Sequence, residues 1–362
     1  MRERQAVTGE YRPRYHTATK KGKQALLDKL VRLTGYRQKS AVRLLAAKPP
    51  KATAVYIDGR PVKLKSEKSG PYFWTWRLGE VSNTEEYPHT ASMKLIVLGS
   101  GTSYGIPVIG CGCLVCRSPD TRDKRMRSSL YLAGEGGEGV VIDTGPEFRL
   151  QLVRAGIRRL DAILLTHAHA DHLHGLDDIR PLCREHPIPV YTNQATLKEL
   201  RERFSYVFHE TQRGGGKPRL EPLLIPPRLN IGGLAVTPIP VKHGTLDILG
   251  WRIDEALPGK RVSAVYLTDT SALPRASRPL ANEPDVLIID GLRMRPHETH
   301  FSFEQALRLG AELKARQVYL THLSHDHSHQ EIAAYCQAFR ENHSFETALM
   351  APAFDEQEIR LV

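Results

Sequence analysis

A dense cluster of histidine and aspartate at the end of an apolar stretch constrains this chain most. The segment Asp161–Leu165, which is apolar after its first residue, runs into the letters T-H-A-H-A-D-H. Alternate residues of an extended segment point the same way, so His167 and His169 can face one cation. After the chain turns, Asp171 and His172 can face a second. Imidazole and carboxylate ligands suit zinc, manganese or iron. The pattern therefore predicts a metal site at a strand end.

Three further apolar stretches are each followed by a side chain of a metal-binding type. These side chains are His243, Asp269 and His322. In α/β proteins, ligands bind beyond the carboxyl ends of the strands. We therefore expect all three side chains to lie beside the histidine cluster.

The last three quarters of the chain alternate short apolar runs with amphipathic stretches, which predict strands and helices respectively. The predicted strands are Lys94–Leu98, Val140–Ile142, Ala162–Leu165, Val236–Val241, Ser263–Leu267, Val286–Ile289 and Val318–Leu320. The predicted helices are Glu147–Ala155, Ala195–Phe204, Phe303–Arg316 and Glu331–Phe339. This alternation indicates an α/β fold with two sheets and helices outside them.

The net charge of +11 is concentrated in the first quarter of the chain. Residues 1–92 carry 19 Lys and Arg against 8 Asp and Glu, whereas residues 93–362 carry 32 of each kind. Attraction to a phosphate backbone is therefore an interpretation for the first segment only. A solvated basic arm without a partner explains the same charge equally well.

Three parts are expected along the chain. Residues 1–50 form a small basic helical segment, because two short amphipathic stretches within residues 20–47 are compatible with a helix-turn-helix. Residues 51–92 form a hairpin and a linker, and residues 93–362 form the α/β domain. The run from Tyr11 to Leu45 resembles the N-terminal DNA-binding region of integrase-type transposases, which implies a transposase fragment. We hypothesise that Met93 is the native translation start, because charge and pattern both change there.

Three of the five cysteines have the spacing C-x-C-x-x-C. Cys111, Cys113 and Cys116 supply three thiolates and lack a fourth ligand for tetrahedral zinc, for which His325 is the candidate. A buried or redox-active thiol group is the alternative. The few cysteines, the charged start and the lack of an apolar run long enough for a bilayer predict a cytoplasmic protein without membrane contact.

Taken together, the strand-end residues resemble the ligand set of the metallo-β-lactamase superfamily, and the resemblance covers Met93–Val362. It implies an αββα metallo-β-lactamase sandwich with a dinuclear metal site at one edge of the sheets. The ligands that it implies are His167, His169 and His243 for one metal, Asp171, His172 and His322 for the other, and Asp269 as a bridge.

The cysteine motif narrows the resemblance to the PhnP-type phosphodiesterases, which hydrolyse cyclic ribose phosphates. In that family the Cys₃His site holds structural zinc and the His-rich site is catalytic. His300 matches a family histidine that lies over the substrate phosphate, and it is the expected proton donor to the leaving oxygen. Asp171 is expected to orient the nucleophile as well as hold metal. The resemblance thus implies a hydrolase of small phosphodiesters with two divalent ions, manganese or zinc, and one structural zinc.

Three other functions stay open. The same ligands serve ribonuclease Z-like nucleases, although the neutral charge of residues 93–362 argues against a long RNA substrate. A thioester or lactone hydrolase could use the same fold, and the whole protein could instead bind DNA through residues 20–47. The expected partner is a small phosphodiester substrate, with nucleic-acid contact confined to residues 1–50, no membrane, and a homodimer among the allowed assemblies.

Overall fold

The computed structural model describes residues 55–57, 60–62, 64–68, 74–78, 92–209, 216–343, 345, 347 and 349–362. The predicted helix-turn-helix and the transposase-like run lie outside the described residues. The chain divides into two units between His89 and Thr90, close to the position where the sequence changes in charge. Among the described residues, no helix is both long and apolar enough to span a bilayer.

Two short antiparallel strand pairs precede the division. Strand β1 (Val55–Ile57) pairs with β2 (Arg60–Val62), where the sequence predicts a hairpin. Strand β3 (Leu64–Lys68) pairs with β4 (Trp74–Leu78), both inside residues 51–92, where a hairpin and a linker are predicted. The sequence analysis did not predict these two strands. Aromatic and β-branched residues favour strands even where no long alternating pattern announces them, and the letters W-T-W occur here.

The second unit contains most of the described strands and helices. Its strands are β5 (Met93–Gly99), β6 (Ser129–Ala133), β7 (Gly139–Ile142), β8 (Ala162–Leu164), β9 (Ile188–Thr192), β10 (Leu220–Leu224), β11 (Leu229–Ile231), β12 (Leu234–His243), β13 (Leu246–Leu257), β14 (Lys260–Leu267), β15 (Val286–Asp290), β16 (Gln317–Thr321), β17 (Leu349–Pro352) and β18 (Glu358–Leu361). Its helices are α1 (Leu114–Arg117), α2 (Phe148–Arg154), α3 (Ala170–Leu173), α4 (Gln194–Arg203), α5 (Ser205–Phe208), α6 (Arg278–Ala281), α7 (Phe303–Glu312) and α8 (His329–His343). Every strand predicted after Met93 falls on one of these strands.

The strands form two mixed sheets. In the described part of the chain, one sheet has the order β10-β9-β8-β7-β6-β5-β18 and the other the order β11-β12-β13-β14-β15-β16-β17. Side chains from the facing sides of both sheets make one continuous core, which includes Leu95, Trp251 and Ile288. This core lies between the sheets and holds them together.

Two further cores lie on the outer faces of the sheets. Phe148 of α2 and Leu200 of α4 pack on the first sheet, and Phe303 of α7 and Ile332 of α8 pack on the second. The order is therefore helix, sheet, sheet, helix, and the predicted αββα sandwich is confirmed.

Strand β15 shows why the apolar runs predicted strands correctly. Val286 and Ile288 enter the core between the sheets, while Leu287 and Ile289 enter the core beneath the outer helices. Successive side chains of a strand point to opposite faces, so a strand buried on both faces must be apolar at every position. An uninterrupted apolar run is the result.

Helix α7 is shorter than the sequence predicts. It begins with a capping box between Ser302 and Gln305 and ends at Glu312, whereas the prediction extends to Arg316. Lys314 adopts a positive φ of 54°, and the N–H of Ala315 bonds to the carbonyl of Gly310 at 3.1 Å. A left-handed residue ends a helix in this way, and its occurrence at a lysine gave no sequence signal.

Candidate metal centre

The predicted ligands follow strands whose carboxyl ends meet at one edge of the sandwich. Strands β7 and β8 are parallel, as are β14, β15 and β16. Three residues that directly or closely follow these strands, Asp143, Asp269 and His322, have positive φ values of 61°, 52° and 57°. This left-handed conformation is uncommon for non-glycine residues and breaks the extended backbone. The chain therefore turns at the sheet edge where the polar side chains gather.

One group of ligand atoms is formed by the first histidine pair and two later strand ends. His167, His169, His243 and Asp269 each offer an atom, and these atoms lie within 4.8 Å of one another. His169 is exposed, whereas the other three side chains are buried. The structure thus brings together residues from β12, from the segment after β14 and from the segment after β8.

A second group shares Asp269 with the first. It comprises Asp171, His172, Asp269 and His322, whose ligand atoms also lie within 4.8 Å of one another. Asp269 Oδ1 lies 3.2 Å from His172 Nε2 and 3.3 Å from His322 Nε2. Its Oδ2 lies 3.8 Å from His167 Nε2, on the side of the first group. One carboxylate therefore faces both groups and can bridge them.

Hydrogen bonds on the outer nitrogens fix how the imidazoles point. Asp143, which is fully buried, bonds to His172 Nδ1 at 2.7 Å and accepts the N–H of Thr166 at 2.8 Å. His243 Nδ1 donates to the carbonyl of Thr299 at 2.8 Å. An imidazole held at Nδ1 presents Nε2 to the centre, and such outer partners orient metal-binding histidines.

The inward-facing ring nitrogens lie near carboxylates but are not satisfied by well-aligned hydrogen bonds. Within the part of the chain that the structure describes, His167 Nε2, His172 Nε2 and both ring nitrogens of His322 are buried without one. Burial lowers the pKa of His322 to about 4, so its imidazole is neutral and has a lone pair to offer. Burial opposes ionisation of Asp269, but His172 and His322 outweigh it and hold the pKa of that carboxyl well below its usual range. Burial likewise lowers the pKa of His167. Neutral imidazoles such as those of His167 and His322, beside a carboxylate, fit divalent cations such as zinc or manganese.

His300 lies directly against these groups. Its ring stacks on that of His322 with 4.6 Å between centroids and meets that of His243 at 4.8 Å. His297, the neighbouring histidine in the sequence, is exposed. The geometry therefore favours His300 over His297 as the histidine that can reach a bound substrate.

Asp290 is a candidate functional residue that the sequence analysis missed. Its Oδ2 bonds to His300 Nδ1 at 2.7 Å and accepts the N–H of Thr270 at 2.8 Å. Burial raises the pKa of Asp290 above its ordinary value, while His300 opposes this shift. A signal was present, because Asp290 ends an apolar strand just as the predicted ligands do. The predicted strand stopped one residue earlier, at Ile289.

The three clustered cysteines converge on the predicted histidine. The Sγ atoms of Cys111, Cys113 and Cys116 lie 3.4, 3.5 and 3.5 Å from His325 Nδ1. Tetrahedral zinc with ordinary Zn–S and Zn–N bonds separates sulfur and nitrogen by about 3.6 Å. The N–H of Cys116 bonds to Cys113 Sγ and helps to lower the pKa of that thiol to about 6. The four side chains thus fit zinc.

A comparison with protein families shows which superfamily the chain belongs to. A family model for the beta-lactamase superfamily domain matches residues 139–323, which is half of the chain and includes both groups of histidine and aspartate ligands. The chain belongs to this superfamily. The predicted resemblance to the metallo-β-lactamase superfamily is therefore confirmed.

Solved structures of related proteins agree with this fold. A crystal structure of a diphosphatase from the PhnP family is 36% identical, covers 75% of this chain and 98% of that chain, and has a TM-score of 0.63. Zinc-bound PqqB from Methylobacterium extorquens has a TM-score of 0.59 at 16% identity, covering 74% of this chain and 100% of that one. Human short-form tRNase Z has a TM-score of 0.51 at 18% identity, covering 74% and 98%. These last two likenesses concern the fold alone.

Curated relatives match parts of the chain. An octanoyltransferase from Porphyromonas gingivalis is 40% identical over 236 residues, which are 64% of this chain and 46% of that protein. A coenzyme PQQ synthesis protein B from Methylobacterium radiotolerans is 30% identical over 225 residues, covering 56% of this chain and 69% of that one. The chain thus spans about half the length of the octanoyltransferase, and the rest of that protein has no counterpart in the match.

Proposed function

We propose that this superfamily hydrolase is a phosphodiesterase for small, cyclic ribose phosphate-like substrates and works with two divalent cations. The observation that carries the proposal is the convergence of two ligand groups on the shared carboxylate of Asp269, directly beside the His300–Asp290 pair. A shared carboxylate between two imidazole-rich groups would hold two cations close together, as two-metal hydrolysis needs.

The chain supplies a complete set of holders for two cations. His167, His169 and His243 would hold one, Asp171, His172 and His322 the other, and Asp269 both. Two cations at this place would supply a water molecule of lowered pKa and stabilise negative charge on the phosphate oxygens. Asp171 is almost completely buried, and its carboxylate would also orient the attacking water.

His300 would then complete the reaction as the proton donor. Attack of water forms a new oxygen–phosphorus bond and breaks the bond from phosphorus to the sugar oxygen. Because Asp290 engages Nδ1 of His300, the proton for that leaving oxygen comes from Nε2. A positioned histidine of this kind contributes about 10²- to 10⁴-fold to rate.

A diphosphate is the second candidate substrate. The 36% identical structure that carries the name diphosphatase is covered almost completely, at 98% of its length. A phosphoanhydride and a phosphodiester both pass through phosphoryl transfer with charge on equatorial oxygens, so the same residues could serve either bond. The octanoyltransferase relative keeps an acyl ester or thioester in consideration, although less than half of that protein is matched.

A substrate panel on the metal-reconstituted full chain tests the proposal. It should contain a cyclic ribose phosphate, an aryl phosphodiester, a diphosphate, a tRNA precursor and an octanoyl thioester. We expect the highest kcat/KM for the cyclic ribose phosphate. Preference for the diphosphate would select the second candidate, and preference for the tRNA precursor or the thioester would contradict the proposal.

Two variants make the panel specific to the site. Asp269→Asn removes the shared negative charge, and we expect hydrolysis to fall by at least about a hundredfold. His174→Asn is the matched control, because His174 is an exposed histidine two residues beyond His172 and belongs to neither ligand group. Equal activity of the two variants would mean that hydrolysis arises elsewhere.

A further inference from the structure

A buried arginine connects the cysteine site with the segment that carries ligands of both candidate sites. The side chain of Arg125 has no exposed surface. Its backbone N–H and carbonyl both pair with Ile106, at 2.8 and 2.7 Å. Ile106 packs with Val115 and Cys116 in a small apolar cluster beside the thiolates. Arg125 is therefore anchored to the segment of residues 106–116 that carries the three cysteines, called here the cysteine-bearing loop.

The guanidinium of this residue reaches the chain that follows β16. Nη1 donates to the carbonyl of Ser324, and Nη2 donates to the carbonyl of His327 at 3.0 Å. Nη2 also donates to Asp123 Oδ1 at 3.2 Å, and the same oxygen accepts the N–H of His329 at 2.6 Å. The arginine and its aspartate thus satisfy three main-chain groups of one short segment.

That segment contains one member of each candidate metal site. His322 stands at its start in the left-handed conformation, with a φ of 57°, and belongs to the Asp269 group. His325 completes the cysteine site. The bonds from the guanidinium to Ser324 and His327 lie on either side of His325, and Ser324 is two residues from His322. Fixing this backbone therefore fixes the origin of both side chains.

An arginine is suited to this task in a way that other residues are not. Its planar fork donates in several fixed directions, whereas the lysine ammonium is a point charge on a flexible stem. A buried ion pair such as Arg125–Asp123 contributes little net stability compared with apolar packing. Among the residues that the structure describes, none accepts a hydrogen bond from the Nε atom of Arg125. Geometry, more than stability, explains why the chain places a charge here.

We propose that Arg125 is a positioning residue that holds His322 and His325 at the places required by the two metal sites. The inference rests on the metal-binding roles proposed for these histidines. It makes the cysteine site and the dinuclear centre two ends of one hydrogen-bonded unit. Loss of the guanidinium should therefore weaken metal binding at both ends together.

The test uses the full chain with Arg125→Met and Arg125→Lys, and Arg122→Met as the matched control. Arg122 is an exposed arginine three residues away that pairs with Asp120 at 2.7 Å. One measurement is the rate of zinc transfer to a coloured chelator. The other is the absorption of the cobalt-substituted protein, in which thiolate-to-cobalt bands report the cysteine site and ligand-field bands report the His/Asp centre.

We expect both Arg125 variants to release zinc at least about tenfold faster than the wild type. We also expect them to bind cobalt at the His/Asp centre at least about tenfold more weakly, because losing a group that orients metal ligands weakens metal binding by about this much. Arg122→Met should match the wild type in both measurements. Wild-type zinc release and wild-type cobalt spectra in a folded Arg125 variant would overturn the proposal.

Failure of a variant to fold, and failure of the wild type to hydrolyse any substrate, also have defined meanings. If Arg125→Met does not fold, Arg125→Lys decides by the same measurements; if neither folds, Arg125 is structural and the proposal is wrong. Neither measurement uses substrate turnover. A wild type that binds metal as described but hydrolyses nothing in the substrate panel would contradict the proposed function alone.

Discussion

At the scale of single residues, Asp290 controls both the direction and the charge of His300. Burial lowers the pKa of His300, but the carboxylate of Asp290 outweighs burial and raises it above the ordinary value. The 2.7 Å bond to Nδ1 leaves Nε2 free to meet a substrate. More of the imidazole is therefore protonated near neutral pH than burial alone would allow, which is what a proton donor needs.

We predict that Asp290→Asn slows hydrolysis and moves its pH dependence. The neutral amide cannot stabilise an imidazolium, so the pKa of His300 falls. A general acid must carry its proton, so the rate declines as the pH rises through that pKa. The alkaline limb of the kcat profile should move to lower pH, and kcat near neutrality should fall by about 10². The measurement is kcat as a function of pH on the preferred substrate.

Asp285→Asn is the control for this variant. Asp285 lies just before the opposite end of strand β15, where its carboxylate accepts the N–H of Ser263 at 2.9 Å, far along the strand from His300. It should leave the alkaline limb in place. An unchanged limb in Asp290→Asn as well would show that His300 is not the group that titrates.

At the scale of elements, long apolar runs predicted buried strands correctly, but the uncharged strands β6 and β9 were missed. Strand β13 was missed as well, because charged residues interrupt its apolar pattern. Asp254 is nevertheless buried there, since Arg252 and Arg261 both lie 3.0 Å from its carboxylate. These partners come from β13 itself and from β14, so the pairing of the two strands supplies one of the two charges that stabilise this buried carboxylate.

At the candidate site, the metal-binding residue types could be predicted from the sequence, but the residues that support them could not. Ligand types could be read from the sequence because each follows a buried strand, and the structure brings all of the predicted ones together. The support of Asp143 for His172 across 29 positions, and of Asp290 for His300, depends on tertiary contacts. Such contacts leave little trace in a local pattern.

The cysteine-bearing loop is an element with too little apolar contact to be stable alone. Its buried core comprises Ile106, Val115 and Cys116, while Ile109 and Leu114 are 100% and 90% exposed. A segment with so few buried contacts opens easily unless another interaction constrains it. Metal binding would supply that interaction, since the free energy of binding contributes to folding.

Cys113→Ala should therefore remove one zinc per chain and lower the melting temperature. A loss of about 2–4 kcal/mol in the free energy of unfolding is expected from removing one ligand of a structural site. Zinc content by elemental analysis and the thermal midpoint measure it. Cys336→Ala is the control, because Cys336 is a buried core cysteine of α8 outside the described metal groups. The protein with this substitution should keep its full zinc content. Full zinc content and full stability in Cys113→Ala would exclude a structural zinc role.

At the scale of the whole molecule, charge and chemistry occupy different parts of the chain. The excess of positive charge lies entirely within residues 1–92, whereas the strands of both seven-stranded sheets lie between Met93 and Leu361. Both groups of histidine and aspartate ligands fall within the matched residues 139–323. Catalysis and any attraction to nucleic acid should therefore be separable by a single cut.

We predict that a chain of residues 93–362 folds, binds the same metals and hydrolyses the preferred substrate with kcat/KM within about twofold of the full chain, as expected of a domain with its own core. Any binding of duplex DNA by the full chain should weaken linearly with salt on logarithmic axes, because phosphate contacts release counterions. That binding should disappear from residues 93–362, whose charges balance. Filter binding across a salt series and metal analysis of both chains measure this. If the shorter chain loses metal or activity, residues 1–92 contribute to the catalytic unit, and the proposed division of labour between the two parts is wrong.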